Sequence, residues 1–152
     1  MKAPEFSLKN TENQTVTLQE LLKVGPTVFV FYPGAFTPVC TKQLCSYQDS
    51  WREFQNLGMQ IVGISGNTPE KNRKFKEQHR FQFQLLSDPG KEITRSFGAT
   101  TSWLLGAPTR ANFIVVRQGT LVFSHVDSLP VTHQKVESLM EAVTRLKTAG
   151  KI

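Results

Sequence analysis

Two periods of apolar residues alternate along this chain. "TVFVFY" (27–32) and "MQIVGIS" (59–65) are almost continuously apolar and rich in β-branched or aromatic residues, the pattern of strands buried on both faces. "FQLLSD" predicts a further strand ending at "DPG". "ANFIVV" and "TLVFSHV" flank "RQG" and predict an antiparallel hairpin. Between these runs the period lengthens. Cys40, Leu44, Tyr47, Trp51 and Phe54 recur at steps of four and three, one face of a long helix over about residues 38–57 that Gly58 stops. Thr68 and Pro69 fit the cap and first residue of a helix with Phe75 inward. "KEITRSF" predicts a short helix stopped by Gly98. Val136, Leu139, Met140, Val143 and Leu146 mark the apolar face of a closing helix, "THQKVESLMEAVTRLKTAG", ended by Gly150. Near the start, polar "KNTENQ" (9–14) is a turn between two short extended pieces. Thr17 with Glu20 forms a capping box for a short helix at "TLQELLK".

Strands alternating with helices, then a hairpin and a last helix, predict an α/β fold: a central mixed sheet with helices on both faces, in one domain over residues 1–152. The first strand–helix–strand unit should cross over right-handed between parallel strands. The start of the long helix then falls at the carboxyl edge of the sheet, where ligands bind in open α/β folds.

Composition narrows the function classes. Apolar residues make up 39% of the chain and include eleven Phe, enough for one core at this length. The longest apolar run is strand-sized, well short of a membrane span. "MKAPEFSLKN" carries no apolar signal-peptide core, so a cytoplasmic protein without a membrane partner is expected. The net charge of +6 permits nucleic-acid binding without requiring it. The positive residues concentrate in "EKNRKFKEQHR" (70–80). These read first as the solvated face of a helix, and second as a docking surface for an acidic partner.

The only two cysteines, Cys40 and Cys45, lie five apart in "YPGAFTPVCTKQLC". Two cysteines make no disulfide scaffold, and His79, His125 and His133 are scattered too far from them in sequence to suggest zinc; no metal or cofactor is expected. With Thr37 as N-cap and Pro38 as first helical residue, Cys40 occupies the first turn. Unpaired N–H groups and the positive end of the helix dipole favour a thiolate there. Lowering a thiol from about 8.5 to about 6 raises its ionised fraction at neutral pH roughly thirty-fold. A fast thiol enzyme therefore also needs fixed donors for the transition state. Taken singly, Cys40 reads as a small core residue, Thr37 as a cap and Pro33 as a turn residue. The set of three at fixed spacing points to chemistry.

That set resembles the peroxiredoxin family, whose active-site pattern P-x-x-x-T-x-x-C is met by Pro33, Thr37 and Cys40. A second cysteine five residues on is similar to the peroxiredoxin Q type, also called bacterioferritin comigratory protein. "APEFSL", "IVGIS", "LLSDPGKEITRSFGA" and Arg110 in "TRANFIVVRQGTLV" follow in the family's order. The resemblance implies a thioredoxin-like fold and a peroxidase. Cys40 would be the peroxidatic cysteine, its thiolate attacking a hydroperoxide to become a sulfenic acid. Thr37 would hydrogen-bond the reacting atoms, the N–H groups of Val39 and Cys40 would face the developing charge, and Pro33 would shield the thiolate. Arg110 would polarise the peroxide; without the motif it is an ordinary charge at a strand start. Gln43 would position the loop or the arginine. Cys45 would be the resolving cysteine, and the disulfide would be reduced by thioredoxin or a similar dithiol. Resolution within one chain suits a monomer. Where the family carries Arg-x-Thr/Ser-Phe, an apolar pair and Asp, this chain has Asn112 and Val116. "TTSWLLGAP" (100–108) matches no pattern, and Trp103 is either core or pocket rim.

In an intact helix, residues five apart have Cα atoms roughly 8.7 Å apart. A disulfide spans at most about 7 Å. Cys45 also falls on the helix side of Gln48 and Arg52, away from Leu44 and Tyr47. The two cysteines therefore bond only if the helix between them unwinds; otherwise Cys45 is a bystander. Two competing functions remain. A thioredoxin-like protein-disulfide reductase would want C-x-x-C, which is lacking. A basic nucleic-acid-binding module would need aromatics on a surface platform, whereas here they sit at core positions.

Overall fold

The computed structural model describes residues 2–33, 38–99, 110–126 and 136–152, with the backbone alone at 38–40 and 136. Thr37, the 100–108 segment with Trp103, His133, the first residues of the closing helix and the side chains of Val39 and Cys40 lie outside the described residues.

The chain opens with a hairpin of β1 (Ser7–Lys9) and β2 (Thr15–Thr17), whose turn is held by the Asn10 side chain accepting from the N–H groups of Glu12 and Gln14. Helix α1 (Leu18–Val24) follows. The Thr17 hydroxyl accepts from the Glu20 N–H and donates to the Glu20 carboxylate. Then come β3 (Thr27–Phe31), α2 (Pro38–Asp49), α3 (Trp51–Asn56), β4 (Gln60–Ser65), α4 (Pro69–His79), β5 (Gln84–Ser87), α5 (Glu92–Phe97), β6 (Ala111–Val115), β7 (Leu121–Val126) and α6 (Val136–Thr148).

The strands form one mixed sheet in the order β2-β1-β5-β4-β3-β6-β7. β3, β4 and β5 run parallel, and β6 runs antiparallel to β3. Every residue of β3 and β6 is buried, as their continuous apolar runs require. Alternate residues serve opposite faces. Val28, Val30, Ile61, Leu85 and Ile114 meet Leu44, Tyr47, Phe54, Phe75, Leu139 and Val143 from α2, α3, α4 and α6. Phe29, Phe31, Val62, Ile64, Leu86 and Phe113 meet Leu18, Leu21, Leu22 and Phe97 from α1 and α5. The expected mixed sheet with helices on both faces is what forms.

One expectation needs correcting. The helix predicted over 38–57 is two helices. Ser50, at φ −100° and ψ 9°, leaves helical geometry and separates α2 from α3. The Ser46 hydroxyl donates to the Lys42 carbonyl, a back-bond of the kind that bends helices. Gly58 at φ +73° still supplies the stop.

The β6–β7 hairpin closes without the family's turn acid. The Val116 N–H donates to the Thr120 carbonyl at 3.0 Å, the Gly119 N–H returns to the Val116 carbonyl at 2.8 Å, and Gly119 takes φ +86°. The Ala3 N–H donates to the Gly119 carbonyl at 2.8 Å, so the N-terminal segment covers this turn.

Candidate active site

Strand direction gathers Pro33, the start of α2 and Arg110 at one edge. β3, β4 and β5 all end there, and β6 begins there. Phe31 pairs with Ala111, so Tyr32 and Pro33 leave the sheet beside Arg110. Arg110 is 4% exposed, which removes the alternative of an ordinary surface charge. Pro33 is half-buried at the end of β3. The backbone is helical from Pro38, so Val39 and Cys40 stand in the first turn of a twelve-residue helix with no acidic residue in that turn. Such an end favours a negative group.

Buried hydrogen bonds fix the frame around this edge. The Tyr32 hydroxyl donates to Asn72 Oδ1 at 3.0 Å, and Asn72 also meets the Ser65 and Ser87 hydroxyls. This joins the ends of β3, β4 and β5 to α4. On the other flank the Tyr47 hydroxyl donates to Asn112 Oδ1 at 2.8 Å, tying α2 to β6. Asn112, which replaces the family's Thr or Ser, thus serves as an acceptor for α2. Asp88, buried after β5, accepts from both the N–H and the hydroxyl of Thr94 at 2.8 Å and so anchors α5.

Gln43 is fully buried on α2, and neither its Oε1 nor its Nε2 has a hydrogen-bond partner among the described residues. It lies one turn past Cys40 on the buried side of α2.

Cys45 is a free thiol. It shares a helix side with Gln48, as expected, but that side is not turned to open solvent. Cys45 is half-buried, packs against the core of this face, and has its Sγ 3.9 Å from His79 Nδ1. Burial, and after it the Asp49 carboxylate, push the Cys45 thiol above its ordinary value. Next along, Gln48 is clasped to Gln82: its Oε1 accepts from the Gln82 N–H at 2.7 Å and its Nε2 donates to Gln82 Oε1 at 2.8 Å.

Among the described residues no group of three or more His, Cys, Asp or Glu is arranged to hold a metal ion, and no helix is long and apolar enough to cross a membrane.

The family model described as AhpC/TSA matches residues 1–124. The chain belongs to the AhpC/TSA family. A chloroplastic peroxiredoxin Q of Gentiana triflora is 36% identical over 118 residues, which cover 78% of this chain and 54% of that protein. The chain therefore spans about half the length of the plant relatives it matches. A Mycobacterium tuberculosis protein classed among the peroxiredoxins is 35% identical over 138 residues, 87% of each chain. Among solved structures, the peroxidoxin BcpB of Mycobacterium tuberculosis superposes with a TM-score of 0.85 at 29% identity, covering 96% of both chains. The peroxiredoxin Q of Xanthomonas campestris superposes at 0.79 with 20% identity over 92% of this chain and 90% of its own, a likeness of fold. The peroxiredoxin resemblance of the sequence and the thioredoxin-like fold it implied are thus both borne out.

Proposed function

We propose that this AhpC/TSA-family chain is a thiol peroxidase that reduces hydrogen peroxide or organic hydroperoxides. The observation that carries the proposal is the meeting, at one sheet edge, of a helix opening with Cys40 in its first turn and the buried cation Arg110. The Cys40 thiolate attacks the terminal oxygen of the hydroperoxide and the O–O bond breaks. Water or an alcohol leaves, and Cys40 becomes a sulfenic acid. Arg110 and the first N–H groups of α2 face the charge that develops on the oxygens. Thr37 caps the helix and orients the peroxide, Pro33 limits water, and Gln43 positions the loop.

Cys45 then displaces the sulfenic oxygen, giving a Cys40–Cys45 disulfide and water. The wound helix keeps the two apart, so α2 unwinds at its start. The disulfide is exposed by that change and is reduced by thioredoxin or a similar dithiol. The working unit is a cytoplasmic monomer.

Two variants test the scheme. Cys40→Ser should abolish peroxide consumption; normal turnover would end the proposal. Cys45→Ser should still consume one fast equivalent and then stall with thioredoxin as reductant. Reduction of insulin disulfides by the wild-type protein, without peroxide consumption, would favour the protein-disulfide reductase instead.

A further inference from the structure

We propose that His79 is the proton acceptor for Cys45 in disulfide formation, a role that rests on the peroxidase reading above and assigns its second step to a named base. His79 is the last residue of α4, thirty-four positions from Cys45, and the fold brings its Nδ1 to 3.9 Å from the Cys45 sulfur. The ring is held on two sides. It stacks on Phe81 at 5.5 Å and 22°, and meets Phe75 edge-on at 5.2 Å and 80°. The plane of the ring is therefore set by packing. With the proton on Nε2, Nδ1 accepts from the Cys45 thiol.

The contact would have no use if Cys45 left α4 when α2 unwinds. Two anchors argue that it stays. Tyr47, two residues on, is 1% exposed and hydrogen-bonded to Asn112 in β6. Gln48, three residues on, is bound twice to Gln82, in the segment just after His79. Unwinding is thus confined to the turns before Cys45, and Cys40 travels to a resolving thiol that remains beside its base. A thiol with its ionisation suppressed by burial and by Asp49 has most to gain from such a base.

The step balances as follows. The Cys45 S–H proton passes to His79 Nδ1 while the sulfur electron pair forms the S–S bond to Cys40. The Cys40 S–O bond breaks and the oxygen leaves as hydroxide. Protonation by the imidazolium gives water and restores the neutral ring. Cys45 is oxidised and the sulfenic sulfur is reduced; the hydroperoxide consumed in the first step is the oxidant.

The test times disulfide formation by acid quench and mass after one equivalent of hydrogen peroxide, in the full chain. His79→Phe keeps a ring on Phe81 and removes the base; disulfide formation should slow by about a hundredfold. In His79→Gly, added imidazole should accelerate the step in proportion to its concentration, whereas pyrazole, alike in shape and far less basic, should not. Equal rates in wild type and His79→Phe would overturn the assignment, as would equal effects of imidazole and pyrazole on His79→Gly, which serves alone if the Phe variant does not fold. A wild-type protein that forms no Cys40–Cys45 disulfide would instead overturn the peroxidase scheme on which the assignment rests.

Discussion

At the residue scale, the two cysteines have different surroundings. Cys40 falls in the first turn of a helix, an end that favours a negative group, whereas burial and the Asp49 carboxylate push the half-buried Cys45 thiol above its ordinary value. The second setting has a pH signature. Because the folded thiol is raised, its contribution to stability is complete below the ordinary 9.0 and is lost as pH climbs through the higher folded value. Asp49→Asn removes the second cause of the rise. In a Cys40→Ser background it should speed alkylation of Cys45 by iodoacetamide at mildly alkaline pH; an unchanged rate would separate Asp49 from the thiol. Residues were legible where they belong to a local pattern. Pro33, Thr37 and Cys40 form a set by their spacing, whereas Arg110 stands out only through the family resemblance, its place before a strand being that of an ordinary charge. His79 has neither signal. It lies four residues past Phe75 at the end of a charged helix, and only the tertiary packing of α4 on α2 reveals that it meets a sulfur.

At the element scale, the proposed disulfide requires the start of α2 to come apart while its end stays pinned. The part before Cys45 buries Leu44, whose exposure costs about 2 kcal/mol, but also Gln43, whose amide lacks a partner among the described residues and would regain water on unwinding. The end of α2 is fixed through Tyr47 and Gln48. Hydrogen exchange on oxidised protein should therefore show lost protection at residues 41–44 and retained protection at 47–49; uniform loss through Asp49 would contradict the pinned end. Most elements were readable from their ends: Thr17, Thr68, Gly58 and Gly98 act as the caps and stops their types suggest. The break at Ser50 was not readable. The apolar steps from Leu44 to Phe54 run through it without interruption, and no Pro or Gly marks it. The hairpin around "RQG" was readable, but not how it closes: Val116 lacks the family's acid, and backbone bonds with Gly119 at positive φ close the turn instead.

At the scale of the whole molecule, the direction of the strands assembles the candidate site. Three parallel strands ending where an antiparallel one begins bring Pro33, the start of α2 and Arg110 to one edge from positions some seventy residues apart in sequence. Resolution inside one chain needs no second copy, so sedimentation should give the 17.1 kDa monomer in both the reduced and the oxidised protein. A dimer that appears only on oxidation and dissolves on reduction would point to a bond between chains. The most direct test is to oxidise reduced wild-type protein with one equivalent of hydrogen peroxide, digest it without reductant and identify the cysteine peptides by mass. The expected product is Cys40 joined to Cys45 within one chain. Cys40 trapped by dimedone as a sulfenic acid beside an unmodified Cys45 thiol would contradict it.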